Sequence, residues 1–198
     1  MRLQFGMLVG LLLMFGLHAA PAASDDGEAQ AVLAGGCFWC MQPPYDDVDG
    51  VLGTEVGFTG GHVEDPTYQE VVQGGTGHYE AVRITYDPER IGYEEILEIF
   101  WRNIDPLDGG GQFCDRGDHY RAAIFAANDA ERSAAEASKE ALEDSGRFDQ
   151  PIVTEVLDAG SFYLAEEYHQ DYYKKNPLRY RFYRASCGRD GRLEELWG

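Results

Sequence analysis

The chain has 198 residues, which suits one domain or a domain with an appendage. Apolar residues make up 44% and charged residues 26%, an ordinary globular composition that excludes a disordered polymer, a collagen and a coiled coil. The 35 acidic residues outnumber the 16 basic ones and give a net charge of −19. Because a face that follows a phosphate backbone needs clustered Lys and Arg, neither nucleic acid nor an anionic membrane surface is an expected partner.

The N-terminus has the pattern of a secretory signal peptide. Arg2 precedes an apolar run at 7–17, which is shorter than the ~20 residues that span a bilayer. Ala20 and Ala22 then offer an A-x-A cleavage pattern. We therefore expect a signal peptide at 1–22, a polar leader at 23–30 and one domain at 31–198. An uncleaved anchor is the alternative; cleavage would leave an exported protein, periplasmic or secreted, with no stable membrane anchor.

Predicted strands and helices alternate along the domain. Strands are predicted at 31–34, 51–58, 78–86, 120–126 and 152–157. Helices are predicted at 37–48, 67–72, 93–103, 129–142 and 164–174. A Gly-rich loop covers 105–118, and a C-terminal tail that starts near 176 is expected to be irregular apart from a last turn at 192–197. The pattern predicts an α+β fold, an α/β two-layer sandwich in which helices flank a central mixed sheet in a single domain.

The four cysteines fall into a close pair and two isolated residues. Four cysteines in an exported protein usually form two structural disulfides. Cys37 and Cys40, however, have the C-x-x-C spacing of redox pairs and metal knuckles. A four-cysteine metal site normally has two such knuckles, so we expect no metal. Cys114 and Cys187 stand alone, and Cys114 is expected to be a free or structural thiol.

Cys37 is the candidate nucleophile. It follows Gly35 and Gly36 at the end of a predicted strand and opens a predicted helix. The free N–H groups and partial positive charge of a helix N-terminus stabilise a thiolate. Phe38 and Trp39 beside it form either an apolar wall of the site or part of the core.

Glu80 is the candidate acid. It shares one face of the strand at 78–86 with Val82 and Ile84. If that face packs inward, burial raises the pKa of the carboxyl group and keeps it protonated as a general acid. At the strand end it would instead lie in water. Tyr68 and Tyr120 are candidate hydroxyl donors, although packing alone explains most tyrosines. No nucleotide-binding motif is present, and Glu166 and Glu167 are expected on a solvated helix face.

Six motifs resemble those of the peptide methionine sulfoxide reductase A family, in that family's order. They are GGCFWC at 35–40, VGFTGG at 56–61, PTY at 66–68, GGTGHYEAV at 74–82, DRGDHYR at 115–121 and AEEYHQ at 165–170. Together they extend over most of the chain after the predicted signal peptide. A single motif of this kind would be weak, but six in order are specific.

The resemblance implies reduction of the S epimer of methionine sulfoxide, free or in proteins. In the family's pattern Cys37 matches the nucleophile and Glu80 the acid that protonates the sulfoxide oxygen. The implied oxygen-binding network is Tyr68, Tyr120 and Asp115. Phe38 and Trp39 match the apolar cage around the substrate methyl group. A sulfenic acid forms on the nucleophile, a second thiol converts it to a disulfide, and an external thioredoxin-like dithiol restores it without a cofactor. A monomer is expected.

The choice of second thiol is the main open point of the resemblance. Cys187 lies in the tail, which could swing toward Cys37, and is expected to be the resolving thiol. Cys40, where many relatives have Gly, is the alternative. Gln42, Phe58 and His119 stand where Glu, Tyr and Gln are usual; the effect of Gln42 is not predicted.

Two other functions compete with the reductase. A thioredoxin-like disulfide oxidoreductase would need only Cys37 and Cys40, and would leave Glu80, Tyr68 and Tyr120 unexplained. A non-enzymatic exported module stapled by disulfides would have no free thiol.

Overall fold

The computed structural model describes residues 27–198; the predicted signal peptide and the first half of the leader lie outside this part. Its strands are β1 (Ala29–Gly35), β2 (Val51–Thr59), β3 (Tyr79–Tyr86), β4 (Gly111–Gln112), β5 (Asp115–Arg116), β6 (Ala122–Ala126), β7 (Glu155–Asp158) and β8 (Tyr163–Leu164). Its helices are α1 (Phe38–Met41), α2 (Pro43–Asp46), α3 (Tyr68–Gln73), α4 (Tyr93–Trp101), α5 (Asp129–Asp144), α6 (Tyr172–Lys175), α7 (Pro177–Ser186) and α8 (Arg189–Trp197).

Six strands form one mixed sheet in the order β7-β6-β1-β3-β2-β8. All neighbours are antiparallel except β6 and β7, which run parallel. β4 and β5 form a separate two-stranded hairpin inside the predicted loop at 105–118. The central positions of β1 and β3 explain their apolar sequences, since both faces of such strands are covered. The predicted α+β fold with a central mixed sheet is confirmed.

The main core lies between the sheet and the helices α4 and α5. Apolar side chains of α4 at i, i+1 and i+4 spacing point inward, and Ile96, Leu97 and Phe100 are fully buried. They pack with Leu33, Ile84 and other inward side chains of the central strands. The helix α3 begins where predicted because Thr67 and Glu70 form a capping box. Within residues 27–198, no helix combines the length and apolar character needed to cross a membrane.

Two predictions about the C-terminal third are wrong. The expected helix at 164–174 is confined to α6, because Leu164 pairs with Gly57 of β2 and Asp171 adopts a left-handed backbone with φ 52°. The tail is not irregular, because α7 and α8 cover most of it. Pro177 starts α7 at a position where its missing N–H has no helical partner, and Gly188, at φ 71°, separates the two helices.

Candidate active site

A tight turn between β1 and α1 presents Cys37. Gly36 in this turn has φ +83°, and a Cβ atom there would lie 2.5 Å from the Cβ of Gln112. Only glycine fits both requirements. Because β1 pairs with β3 in the sheet centre, the turn brings Cys37 and Phe38 to the end of β3 that carries Glu80.

Glu80 is buried, with 1% of its surface exposed. It lies opposite Phe58 in the pairing of β2 with β3, and its Oε2 accepts a hydrogen bond from the backbone N–H of Phe38 at 3.1 Å. Burial raises the pKa of Glu80 well above its ordinary value, and the hydrogen bond from Phe38 offsets only part of that rise. Of the two positions that the sequence left open for Glu80, the structure has the buried one, and this environment favours the protonated acid.

The side chains of Cys37 and Cys40 are both buried free thiols that hydrogen-bond to each other. Burial is the largest cause that raises the pKa of Cys37, and the neighbouring Cys40 raises it further. The hydrogen bond from Cys37 lowers the pKa of Cys40 to about 6. Cys40 therefore gives up its proton more readily than Cys37 does. The sequence had indicated a thiolate on Cys37; desolvation outweighs the effect of the short helix α1.

Tyr68 and Tyr120 both approach Glu80 and Cys37. Burial raises the pKa of Tyr68 to about 12, with a further contribution from Glu80 and a partly offsetting hydrogen bond with Tyr120. Burial and Glu80 also raise the pKa of Tyr120. Both hydroxyl groups thus keep their protons at neutral pH and remain hydrogen-bond donors.

Asp115 in β5 is linked to Cys37 by a residue that the sequence did not single out. The hydroxyl group of Tyr183 in α7 donates a hydrogen bond to Asp115 Oδ2 and also hydrogen-bonds to the side chain of Cys37. Burial raises the pKa of Asp115 above its ordinary value. Tyr183 could not be found from the motifs, because it lies in the tail that was expected to be irregular.

Phe38 and Trp39 have different environments. Phe38 is 1% exposed and packs against Phe58, with ring centroids 5.9 Å apart, so it belongs to the core as well as to the site. Trp39 is only partly buried and stacks on Tyr172 at 3.7 Å. Its indole N–H donates a 3.0 Å hydrogen bond to Nδ1 of His169. Trp39 is therefore the more accessible of the two aromatic walls.

His169 is a second site neighbour that the sequence reasoning passed over, although it lies in the motif at 165–170. The centroid of its ring lies 4.4 Å from the ring centroid of Tyr68 and 5.1 Å from that of Phe38. Burial lowers its pKa to about 4, so the ring is neutral and accepts from Trp39. In the same motif, Glu166 is not simply solvated, because its Oε1 accepts from the backbone N–H of Tyr68 at 3.1 Å.

Cys187 is not a free thiol in this structure. It forms a disulfide with Cys114, and Tyr183 and Asp115 lie between that disulfide and Cys37. The expectation that Cys187 would swing to Cys37 is therefore wrong for this state, because ordered helices hold the tail and its sulfur is already bonded. Among residues 27–198 the group of possible metal ligands is Cys114, Asp115 and Cys187, and the disulfide uses both of its sulfurs.

Gln42 connects the site helices to the rest of the fold. It is 1% exposed, and its amide nitrogen donates to Thr54 Oγ1 at 3.1 Å. Its amide oxygen accepts from the backbone N–H of Asp171 at 3.0 Å. A glutamate could accept the second bond but not donate the first when ionised. The amide thus suits a position that must do both.

The fold and the site define a thiol-based redox centre. The ends of the central strands β1 and β3 bring together two free thiols, a buried carboxylic acid and tyrosine hydroxyl groups, with aromatic side chains around them. A carboxylic acid beside a thiol pair is more than disulfide exchange requires.

Comparison with known proteins agrees with this class. The family model of peptide methionine sulfoxide reductase matches residues 29–198. Peptide methionine sulfoxide reductase MsrA of Bacillus licheniformis is 57% identical over 168 residues, 85% of this chain and 93% of the relative. Reduced Mxr1 of Saccharomyces cerevisiae has a similar structure, with TM-score 0.73 and 30% identity over 79% of this chain and 90% of Mxr1. The structure of Mxr1 in complex with Trx2 has a TM-score of 0.54 and 24% identity, and the match covers 76% of this chain and 88% of the Mxr1 chain. This is a likeness of fold alone. The chain belongs to the peptide methionine sulfoxide reductase family.

Proposed function

We propose that the chain reduces the S epimer of methionine sulfoxide to methionine, with Cys37 as nucleophile and Glu80 as general acid. The chain is a peptide-methionine (S)-S-oxide reductase by family. The observation that carries the assignment of roles is the buried Glu80 carboxyl beside the Cys37–Phe38 turn. A sulfoxide oxygen is a poor leaving group until it is protonated, and this acid can supply the proton.

The reaction balances with the groups at the site. When the Cys37 sulfur attacks the sulfoxide sulfur, its own proton can pass to the Cys40 thiolate. Glu80 protonates the sulfoxide oxygen, and Tyr68 and Tyr120 hold it. The protonated oxygen passes to the Cys37 sulfur while the bonds from the substrate sulfur to the oxygen and to Cys37 break, so methionine leaves and Cys37 becomes a sulfenic acid. The proton taken up by Cys40 returns to the Glu80 carboxylate, which restores the Cys40 thiolate. The substrate is reduced by two electrons and Cys37 is oxidised by two.

The supporting residues position these groups. Asp115 acts through Tyr183, whose hydroxyl reaches both Asp115 and Cys37. The accessible ring of Trp39 and the buried ring of Phe38 provide apolar surface for the substrate methyl group.

Cys40 is the resolving thiol in this proposal. It is the free thiol that hydrogen-bonds to Cys37, and its pKa of about 6 makes it a thiolate at neutral pH. Its attack on the sulfenic acid would release water and leave a Cys37–Cys40 disulfide. This replaces the earlier expectation for Cys187, which is bonded to Cys114.

An external dithiol completes the cycle, and no cofactor is required. A thioredoxin-like donor would reduce the disulfide by thiol–disulfide exchange. Support comes from yeast Mxr1, which has been solved in complex with Trx2.

The proposed setting is repair of oxidised proteins outside the cytosol. Support is confined to the signal-peptide pattern at 1–22. Fractionation of the native host, with N-terminal sequencing of the mature chain, tests it; a full-length cytosolic protein would contradict export.

Dithiothreitol-driven reduction of the separated S and R epimers tests the activity. We expect turnover of the S epimer only, and none in Cys37→Ser. A matched control, Cys114→Ser, removes an exposed cysteine outside the thiol pair and should still release methionine. Absence of turnover by folded protein with free Cys37 and Cys40 would refute the reductase and favour disulfide exchange.

A further inference from the structure

Arg189, the first residue of α8, is a buried cation. It is 1% exposed, the largest side chain among the fully buried ones. It takes part in no ion pair with a carboxylate in the described part of the chain, and its Nε–H has no acceptor there. An isolated buried charge is energetically unfavourable, so a fold that retains one is expected to supply a compensating negative charge.

The contacts of the guanidinium group place it around the thiol pair. Nη2 donates to the backbone oxygen of Gly35 at 3.2 Å and to Asn103 O at 2.6 Å, and lies 2.9 Å from Met41 Sδ. Nη1 would lie 3.8 Å from a Cβ atom on Gly36. Gly36 directly precedes Cys37 and Met41 directly follows Cys40, so the cation contacts both flanks of the pair.

The other titratable groups near the pair are carboxyl groups, tyrosines and a paired arginine. Burial raises the pKa of Glu80 and of Asp115, and neither carboxyl group can supply a positive charge. The hydroxyl groups of Tyr68, Tyr120, Tyr180 and Tyr183 stay protonated, since burial raises each pKa. Arg184 is paired with Asp190 at 2.6 Å. Arg189 is the cation near the pair without a carboxylate among residues 27–198, and it acts to lower the pKa of Cys40.

Two further contacts hold the guanidinium in place. It lies over the ring of Phe113, 4.5 Å from the centroid. Phe113 adjoins Cys114, and Arg189 is two residues after Cys187. The Cys114–Cys187 disulfide thus fastens together the two segments that form the Arg189–Phe113 contact.

We propose that Arg189 is the positioning residue that supplies the counter-charge for the single thiolate of the Cys37–Cys40 pair. It acts through the pair and does not touch the substrate. The thiolate is the proton acceptor for Cys37 and the resolving nucleophile, so this inference rests on the proposed function for its consequence. The test measures the ionisation of Cys40 and does not depend on turnover. A failure of this inference is therefore distinguishable from a failure of the proposed function.

The experiment follows the pH dependence of iodoacetamide alkylation at Cys40 and Cys37 separately, by peptide mass spectrometry, in the full domain. Arg189→Gln should move the Cys40 midpoint upward by about one pH unit, a tenfold loss of thiolate below the midpoint. Arg189→Lys, which keeps the charge, should shift it less. Arg192→Gln is the matched control, because Arg192 is on the same helix but is 41% exposed and ion-paired with Asp105; the Cys40 midpoint should not move in this variant.

The proposal is overturned if Arg189→Gln folds with an unchanged midpoint, or if the Lys variant shifts as far as the Gln variant. A merely structural role would lower thermal stability in both and leave the midpoint alone. If Arg189→Gln does not fold, an NMR titration of the wild-type protein tests the proposal instead. The Arg189 Nε–H resonance should then titrate with the same midpoint as Cys40, and a resonance that stays constant over that range would overturn the proposal.

Discussion

Replacing Glu80 by Gln should lower activity and raise stability together. Gln has nearly the same shape, and its carbonyl oxygen can accept the 3.1 Å hydrogen bond from the Phe38 N–H. It cannot serve as an acid. Since a positioned general acid contributes about 10²- to 10⁴-fold, we expect a rate loss in that range in single turnover. Wild-type activity should fall as pH rises through the raised pKa of Glu80, and the variant should lack that decline.

The gain in stability follows from the same burial. The pKa of Glu80 is raised in the folded state above its ordinary value of 4.5. The folded state therefore binds the proton more tightly, and the resulting stability is present below pH 4.5 and lost as pH rises through the folded pKa. The loss is about 1.4 kcal/mol per pH unit over that interval. Gln has no proton to lose, so its advantage in free energy of unfolding should grow with pH at this rate and vanish at low pH.

Urea unfolding at a series of pH values measures the gain in stability, and rapid-quench single-turnover kinetics measure the loss of activity. Glu167→Gln serves as the control, because that side chain is 88% exposed and should change neither quantity. A Glu80→Gln protein with wild-type single-turnover rates would refute the assignment of the acid. An advantage in stability that does not depend on pH would refute the argument from burial.

Three further changes test the packing and capping around the site. Phe58→Ala should lower the free energy of unfolding by about 3–5 kcal/mol in urea titrations, because the ring is fully buried, whereas Phe182→Ala, at 76% exposed, should change little. Cys114→Ser should lower it by about 2–4 kcal/mol under oxidising conditions, since the disulfide closes a loop of 73 residues, and the difference should shrink when the wild type is reduced. Thr67→Ala should lower the thermal midpoint through loss of about 1 kcal/mol of helix capping, measurable by calorimetry; an unchanged midpoint would contradict the capping box.

Local patterns predicted the strands well because each central strand has a strong apolar signal. The alternation in β3 correctly placed Glu80 on the same face as Val82 and Ile84, which are buried. The helix expected at 164–174 was wrong because Leu164 joins the sheet through a long-range pairing with Gly57. Such pairing overrides local periodicity and cannot be found from the segment alone.

The site was predicted as far as its residues lie in motifs. Tyr183 and Arg189 were missed because they lie in the part of the tail that was expected to be irregular. The ionisation of the pair was also missed, because desolvation of Cys37 depends on everything packed around it. The Cys114–Cys187 disulfide joins residues far apart in sequence, and four cysteines permit three pairings.

Mapping the cysteines after a single turnover tests the central claim most directly. The sample is protein that retains the Cys114–Cys187 disulfide and has Cys37 and Cys40 reduced. It would be mixed with S-epimer methionine sulfoxide in the absence of reductant, then digested and analysed by mass spectrometry. We predict one methionine per chain and a new Cys37–Cys40 disulfide, with Cys37 trapped as a sulfenic acid in Cys40→Ser. Methionine formed while Cys37 remains a thiol, or oxidation that begins at any other cysteine, would contradict the account.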